Sequence, residues 1–186
     1  MQIIGGSLRG RKLVPLQGRD IRPTSSMARE SIFNILMHRT MENGDSYVID
    51  KNIADLCCGS GAMGLEAISR GAAHATFVDA GNASLDIARE NAKKFSVETQ
   101  ADFIRADALR LPPPRREYHV IFCDPPYGAG MNEKILRAVQ KADWLAAGGL
   151  IVTEQSGKEP TPNMEGYALL LERDYGRAKI LVLEKR

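Results

Sequence analysis

Residues 52–64 read NIADLCCGSGAMG, and this stretch decides the fold of the chain. It opens with a short apolar run, Asn52–Leu56, which predicts a buried strand. A G-x-G-x-x-G pattern follows from Gly59 to Gly64 and leads into a predicted helix. Glycines between a strand and a helix let the backbone turn tightly and approach a ligand closely. The stretch therefore predicts the strand, turn and helix that open a nucleoside-binding α/β sheet.

Strand and helix patterns alternate through the rest of the chain. The predicted strands span residues 52–56, 75–79, 102–105, 119–123, 150–154, 168–172 and 179–183. The predicted helices span residues 25–41, 64–70, 84–95 and 131–142. The last two strands read as an antiparallel hairpin that turns near Gly176. This order predicts a Rossmann-like α/β fold, with helices on both faces of a mostly parallel, seven-stranded sheet and an antiparallel terminal hairpin.

The N-terminal part of the chain is basic. Residues 1–40 contain seven Lys and Arg residues against two acidic residues, a net charge of +5, whereas the whole chain carries only +2. The pattern predicts a small β-hairpin, from Gln2–Ile4 to Arg11–Val14, followed by the first helix. We expect residues 1–41 to form an extension that binds an anionic polymer, and residues 42–186 to form the main domain. A solvated surface without a partner is the alternative.

Four aspartates follow predicted strands or end them. They are Asp55, Asp79, Asp107 and Asp124. The carboxyl ends of parallel strands meet at one edge of an open α/β sheet, which is where such sheets bind ligands. Asp79 lies twenty residues after Gly59, at the position from which an acid binds ribose hydroxyls, and Asp107 is placed to meet an adenine edge. Each acid alone could be a helix cap or a turn residue, but the four together predict a nucleoside site.

A second motif, Asp124-Pro125-Pro126-Tyr127, follows the apolar run at 120–123. The acid can accept a hydrogen bond from an amino group on a planar ring, and the prolines stiffen the turn. The tyrosine offers a flat face on which a base can stack. A plain strand-ending turn is the alternative interpretation.

Composition narrows the class of protein further. At 186 residues, 44% hydrophobic and 26% charged, the chain fits one globular domain. Its three cysteines, Cys57, Cys58 and Cys123, are odd in number and predict free thiols in a cytoplasmic protein. No Cys or His spacing resembles a zinc site, so we expect no metal. No apolar run reaches the ~20 residues that cross a bilayer, so we expect no membrane partner.

Two cofactors fit a glycine loop of this kind. NAD would place its pyrophosphate at the helix N-terminus. S-adenosylmethionine carries a sulfonium cation and no phosphate. Asp55 precedes the glycines and would repel pyrophosphate while suiting that cation and its amino group. The sequence also shows no second large domain for a hydride acceptor, so S-adenosylmethionine is favoured.

The chain resembles the RsmD family of class I methyltransferases over nearly its whole length. The two motifs just described carry this resemblance, together with an N-terminal signature. That signature reads IIGG at 3–6, RGRKL at 9–13, RPT at 22–24, RE at 29–30, IFN at 32–34, GLEA at 64–67 and SRGA at 69–72. The family methylates the exocyclic N2 of one guanine in bacterial 16S ribosomal RNA with S-adenosylmethionine.

The resemblance implies a role for each group of residues. Asp124, Pro125, Pro126 and Tyr127 would form the catalytic turn, in which Asp124 and the Pro125 carbonyl accept the N2 hydrogens and Tyr127 stacks on the base. The cofactor would lie against Asp55, Cys57, Gly59, Ser60, Gly61, Asp79, Ala80, Asp107 and Ala108. Phosphate contacts would come from Arg9, Arg11, Lys12, Arg22 and Arg29. The partner would be 16S rRNA or an assembling small ribosomal subunit, bound by a monomer. A structural ion pair is expected at Glu66.

Rival functions remain open at this point. Adenine-N6 methylation of DNA and glutamine methylation of a protein use similar turns to hold a planar nitrogen, but the N-terminal signature argues against both. A non-catalytic RNA-binding module and an NAD-dependent reductase belong to other classes. The intact glycine loop and Asp124 argue against the first, and Asp55 argues against the second.

Overall fold

The computed structural model describes residues 1–16, 26–125 and 130–186. Within these residues the helices are α1 (Ser26–His38), α2 (Ala62–Ser69), α3 (Asn82–Phe95) and α4 (Met131–Lys141), with a short 3₁₀ turn at Glu98–Gln100. The strands are β1 (Asn52–Leu56), β2 (His74–Asp79), β3 (Ala101–Arg105), β4 (Tyr118–Cys123), β5 (Leu145–Ser156), β6 (Tyr167–Tyr175) and β7 (Ala178–Lys185).

The seven strands form one sheet in the order β3-β2-β1-β4-β5-β7-β6. Strands β1 to β5 pair in parallel, whereas β7 runs antiparallel between β5 and β6. The predicted α/β fold with an antiparallel terminal hairpin is confirmed, including the turn at Gly176, where φ is +64°. The strand order reverses beside β1, which places β1 and β4 at the centre of the carboxyl edge.

Central strand β4 is buried on both faces, as its continuous apolar run from Val120 to Cys123 predicts. Helix α4 packs on one face of the sheet, where Ile135, Leu136 and Val139 join the core around Trp144. Helices α1 and α2 pack on the other face and share a core with Phe122 and the neighbouring strands. Helix α3 buries Leu85, Ala88, Ala92 and Phe95, the apolar face predicted from its spacing.

The first sixteen residues pack on α2 and α3. Gln2 pairs with Lys12 in a single antiparallel bridge, and Ile3 and Leu13 are buried in the core that α3 shares with β2. The predicted hairpin is thus present as one bridge closed by a wide loop. We refer to residues 1–16 as the N-terminal arm. The arm and α1 share cores with the sheet; the division into residues 1–41 and 42–186 stays a prediction.

Candidate active site

The structure brings the strand-end aspartates to one edge of the sheet. Leu56 of β1 lies beside Val78 of β2 and Cys123 of β4, so the residues that follow these strands are neighbours. Asp107 follows β3 by two residues, and the Ala106 amide donates to the carbonyl of Asp79 over 3.1 Å. The edge is therefore lined by acids from four adjacent strands, as the sequence predicts.

The glycine loop between β1 and α2 is held in a strained, tightly turned backbone. Cys57, Gly59 and Gly61 have φ values of +57°, +53° and +78°, in the left-handed region that favours glycine. A Cβ on Gly64 would collide with the ring of Phe77, so α2 approaches β2 as closely as it does only because this residue is glycine. Cys57 and Gly59 are partly exposed in this loop, so a ligand can approach the backbone there, whereas Ser60 and Gly61 are buried.

The side chain of Asp55 has a strongly raised pKa. Its carboxylate is buried, and Oδ2 accepts a hydrogen bond from the Gly64 amide over 2.9 Å. Burial raises the pKa of Asp55 from its ordinary value of 3.8 to about 8, against the lowering effect of the Gly64 hydrogen bond, and the nearby charges of Asp124 and Asp79 raise it further. A cation bound beside it would favour the ionised form, so the site suits a positively charged ligand.

Asp79 fixes two backbone segments at once. Its Oδ2 accepts a hydrogen bond from the Gly59 amide over 3.0 Å, and its Oδ1 accepts one from the Gly81 amide over 2.8 Å. A carboxylate has about four acceptor positions, so both oxygens can still accept hydroxyl groups. Asp107 is exposed, with Oδ1 accepting from the Leu109 amide over 2.9 Å, and Ala108 beside it is buried.

Asp124 is half-buried and Pro125 is buried at the end of β4. Pro126 and Tyr127 lie outside the described residues. A small cavity of about 20 Å³ lies between α1 and the sheet, lined by Ile32, Asp55, Met63, Phe122, Cys123, Asp124, Val152, Thr153, Glu154 and Ile180. This volume holds about one water molecule. Asp55 and Asp124 therefore share one small chamber beneath the edge of the sheet.

Two further side chains, Asn132 and Thr153, organise this edge although sequence reasoning did not select them. Thr153 lies beside Cys123 in the β4–β5 register, and its hydroxyl donates to Oδ1 of Asn132 over 2.6 Å. Nδ2 of Asn132 donates to the Glu154 carbonyl over 3.1 Å. These bonds anchor the first turn of α4, directly after the Asp-Pro-Pro-Tyr motif, to the strand beside Asp124.

Two of the three cysteines, Cys58 and Cys123, are buried. Burial raises the pKa of the Cys58 thiol, and a hydrogen bond with Cys57 together with burial raises that of Cys123. All three are free thiols. Raised pKa values keep Cys58 and Cys123 protonated, which makes them poor nucleophiles.

The prediction made for Arg29 is wrong. It was expected to contact phosphate, but its side chain is fully buried, 3.9 Å from Glu66, and donates to the carbonyl of Gln2 over 2.8 Å. Glu66 accepts hydrogen bonds from the amides of Ile4 and Gly5 and pairs with Arg70 over 2.9 Å. The structural ion pair expected at Glu66 is confirmed. Arg29 was misassigned as a phosphate contact because sequence alone does not show which face of α1 turns inward.

The other residues predicted to contact phosphate differ in their surroundings. Arg9 and Lys12 are exposed. Arg11 donates to the carbonyls of Lys94 and Phe95 at the C-terminus of α3, and its guanidinium lies 4.7 Å from the centre of the Phe95 ring. Because α3 runs back from the carboxyl edge, this contact lies about 20 Å, one helix length, from that edge. Arg22 lies outside the described residues.

No group of three or more His, Cys, Asp or Glu side chains among the described residues is arranged to hold a metal ion. In the same residues, no helix is both long and apolar enough to cross a membrane.

A family model described as Conserved hypothetical protein 95 matches residues 1–184 of the chain. The ribosomal RNA small subunit methyltransferase D of Haemophilus influenzae is 30% identical over 180 residues, which cover 95% of this chain and 89% of that protein.

Solved structures agree with the fold. An Escherichia coli protein, yhhF, assigned as a methyltransferase, superposes with a TM-score of 0.83 at 29% identity, covering 100% of this chain and 98% of its own. An RNA methyltransferase of Salinibacter ruber, solved in complex with S-adenosyl-L-homocysteine, superposes with a TM-score of 0.65 at 17% identity, covering 88% and 94%. At that identity the second likeness shows the shared fold alone.

Proposed function

This chain belongs to the RsmD family, and on that premise we propose that it is an rRNA methyltransferase that moves a methyl group from S-adenosylmethionine to the exocyclic N2 of a guanine in 16S rRNA. The observation that carries the proposal is the meeting of Asp124 with Asp55, which precedes the glycine loop, at one edge of the sheet. There Asp124, an acceptor for a planar amino group, and Asp55, which suits a cation, line the same small cavity.

The described residues fit S-adenosylmethionine, which would supply an activated methyl group on its sulfonium. Asp55, buried and with a pKa of about 8, would pair with the ammonium group of the methionine part. The backbone of Cys57, Gly59, Ser60 and Gly61 would lie against the same part. Asp79, with Ala80 beside it, would accept the ribose hydroxyls, and Asp107 with Ala108 would border the adenine.

Asp124 would hold and orient the acceptor. The N2 lone pair of guanine is delocalised into the ring, which makes this nitrogen a poor nucleophile. Asp124 and the Pro125 carbonyl would accept hydrogen bonds from the two N–H groups of this amine. They would also stabilise the positive charge that develops on its nitrogen. Pro126 would stiffen the turn, and Tyr127 would stack on a base turned out of its RNA context. Positioning then supplies most of the catalysis, without a covalent intermediate or a metal.

We propose 16S rRNA, free or within an assembling small subunit, as the partner of a monomeric, cytoplasmic enzyme. The three free thiols fit a reducing compartment. Arg9 and Lys12 are exposed on the arm and remain candidates for phosphate contacts.

The test is identification of the methylated product. Purified protein, S-adenosylmethionine and either 16S rRNA or small subunits lacking this modification are incubated, and the digested RNA is analysed by mass spectrometry. We expect N2-methylguanosine at one position. Parallel incubations replace the RNA with DNA or with protein. N6-methyladenosine in DNA, methylglutamine in protein, or no transfer to any of these substrates would each replace the proposal with one of its rivals.

A further inference from the structure

Asn91 lies on the inner face of α3 and is completely buried. It is away from the strand-end aspartates, and the methyl-transfer chemistry gives it no role. A fully buried amide requires hydrogen-bond partners, because an unpaired one costs about 1–3 kcal/mol. The partners of Asn91 therefore show what it is there to hold.

Those partners come from two separate parts of the chain. Nδ2 donates to the carbonyl of Ser60 over 3.0 Å and to the carbonyl of Val14 over 3.0 Å. Oδ1 accepts a hydrogen bond from the Val14 amide over 2.7 Å. Both N–H groups are thus in use, one for the glycine loop and one for the N-terminal arm.

The Ser60 bond supports the loop between its two left-handed glycines. Ser60 lies between Gly59 and Gly61, which both have positive φ. The Gly59 amide is held by Asp79 from β2, and the Gly61 amide donates to the Cys58 carbonyl within the loop. Asn91 adds an anchor from α3, so the loop is fixed from the strand side and from the helix side.

The Val14 bonds fix the amide plane of Asn91 itself. The arm is anchored at its start by Glu66 and Ser69 on α2, and Leu13, next to Val14, is buried. Val14 therefore holds the Asn91 side chain from a fixed position. Displacing the arm would free that side chain to rotate away from Ser60.

We propose that Asn91 is a positioning residue for the cofactor: it shapes the glycine loop, and the arm keeps it in place, so that cofactor binding and arm docking stabilise each other. The inference rests on the proposed function only in taking S-adenosylmethionine as the ligand of the loop. Such coupling is reciprocal, since each event changes the affinity of the other by the same factor.

The first test measures binding of S-adenosylhomocysteine by calorimetry to the wild-type protein, to Asn91→Leu and to Tyr118→Phe. The control removes a different buried hydrogen bond, 3.0 Å long, from Tyr118 to Thr76 on the sheet. We expect Asn91→Leu to raise Kd about tenfold, the effect of losing roughly one buried hydrogen bond. The Kd of the Tyr118→Phe control should stay within about twofold of the wild-type value.

In assays of methyl transfer, Asn91→Leu should also raise KM for S-adenosylmethionine. Its kcat at saturation should change little, because Asp124 is untouched.

The proposal would be overturned if Asn91→Leu bound S-adenosylhomocysteine with the wild-type Kd, or if Tyr118→Phe raised the Kd equally. If Asn91→Leu does not fold, Asn91→Asp replaces it, since it keeps the acceptor for Val14 and loses both donors. The second test is hydrogen exchange of the Leu13 and Val14 amides, which should slow when S-adenosylhomocysteine binds the wild type and change less in Asn91→Asp. Ligand-independent exchange at these amides would disprove the coupling.

The calorimetry and the hydrogen exchange involve no RNA. If S-adenosylhomocysteine binds as expected but no N2-methylguanosine forms, the proposed acceptor is wrong and the inference about Asn91 stands. If the wild-type protein does not bind S-adenosylhomocysteine, the cofactor assignment fails, and the inference fails with it.

Discussion

Single carboxylates carry the proposed chemistry, and their surroundings separate their roles. Asp55 is buried against the start of α2, Asp79 is tied to two backbone amides, and Asp124 borders a chamber at the end of β4. Under the proposed function, three acids of the same type would face a cation, a pair of hydroxyls and an amino group. Substitutions at each should therefore change different measurements.

Asp124→Ala should abolish methyl transfer while leaving the Kd for S-adenosylhomocysteine within a few-fold of the wild type. Asp124→Asn should be milder, because an amide oxygen can still accept one N2 hydrogen. Single-turnover assays and calorimetry separate the two effects. If both variants lose cofactor affinity as severely as activity, Asp124 belongs to the cofactor site instead.

The raised pKa of Asp55 makes cofactor affinity depend on pH. At pH 6 the carboxyl is protonated and cannot pair with an ammonium group, so affinity for S-adenosylhomocysteine should rise towards about pH 8. Asp55→Asn keeps an acceptor for the Gly64 amide and should remove most of this rise. Calorimetry at pH 6, 7 and 8 measures it, and the same rise in both proteins would exclude Asp55.

The raised pKa of Asp55 also makes the stability of the free protein depend on pH. Stability should fall as the pH rises, whereas cofactor affinity should increase. The folded pKa of about 8 exceeds the ordinary value of 3.8, so the folded state binds the proton more tightly. This contribution is complete below about pH 4 and is lost as the pH rises through about 8. Thermal unfolding without ligand measures this. Over the same pH range, Asp55→Asn should lose less stability than the wild-type protein.

At the scale of elements, Asp124 lies beside the junction between β4, β5 and α4. The Thr153 hydroxyl holds Asn132, and Asn132 holds the Glu154 carbonyl, so the first turn of α4 is fixed beside Asp124. The site is therefore shaped by an element that contributes no atom to the reaction.

Thr153→Val preserves the shape of the side chain but removes this hydroxyl. The loss of one buried hydrogen bond, about 1 kcal/mol, should lower kcat roughly fivefold if that energy serves positioning. The Kd for S-adenosylhomocysteine should not change. Thr76→Val is the matched control, because it removes the buried partner of Tyr118 from a different strand. An equal fall in kcat in the control would show that the effect comes from general destabilisation.

At the scale of the whole molecule, the N-terminal arm is a structural part of the protein as well as a basic surface. Glu66, Ser69 and Asn91 bind its backbone, and Arg11 packs on α3. Its exposed basic side chains are Arg9, Arg11 and Lys12. An RNA that contacts both Arg11 and Asp124 would have to extend along about 20 Å of the molecule.

The double variant Arg9→Ala/Lys12→Ala should weaken binding of 16S rRNA or of the small subunit. It should also reduce the logarithmic salt slope by about 0.7–0.9 for each phosphate contact that is lost. Arg11 is left intact because its substitution would also disturb α3. Filter binding over a range of salt concentrations measures the slope. An unchanged slope would mean that these two side chains contact only solvent.

The sequence by itself determined the α/β order, the glycine loop and the strand-end acids, because these follow from local patterns. The alternation of strands and helices specifies a parallel sheet, and parallel strands bring residues that follow them to one edge whatever the details of packing. This is why Asp55, Asp79 and Asp124 could be grouped from their positions alone.

Only the tertiary structure decided which polar residues are buried between elements. Arg29 and Arg9 look alike in a basic segment, yet Arg29 is buried beside Glu66 and Arg9 faces solvent. Asn91 and Thr153 carry no motif, and their partners lie 77 and 21 residues away in the chain. Burial and hydrogen bonding of these side chains depend on which helix face meets which strand, and no local pattern encodes that contact.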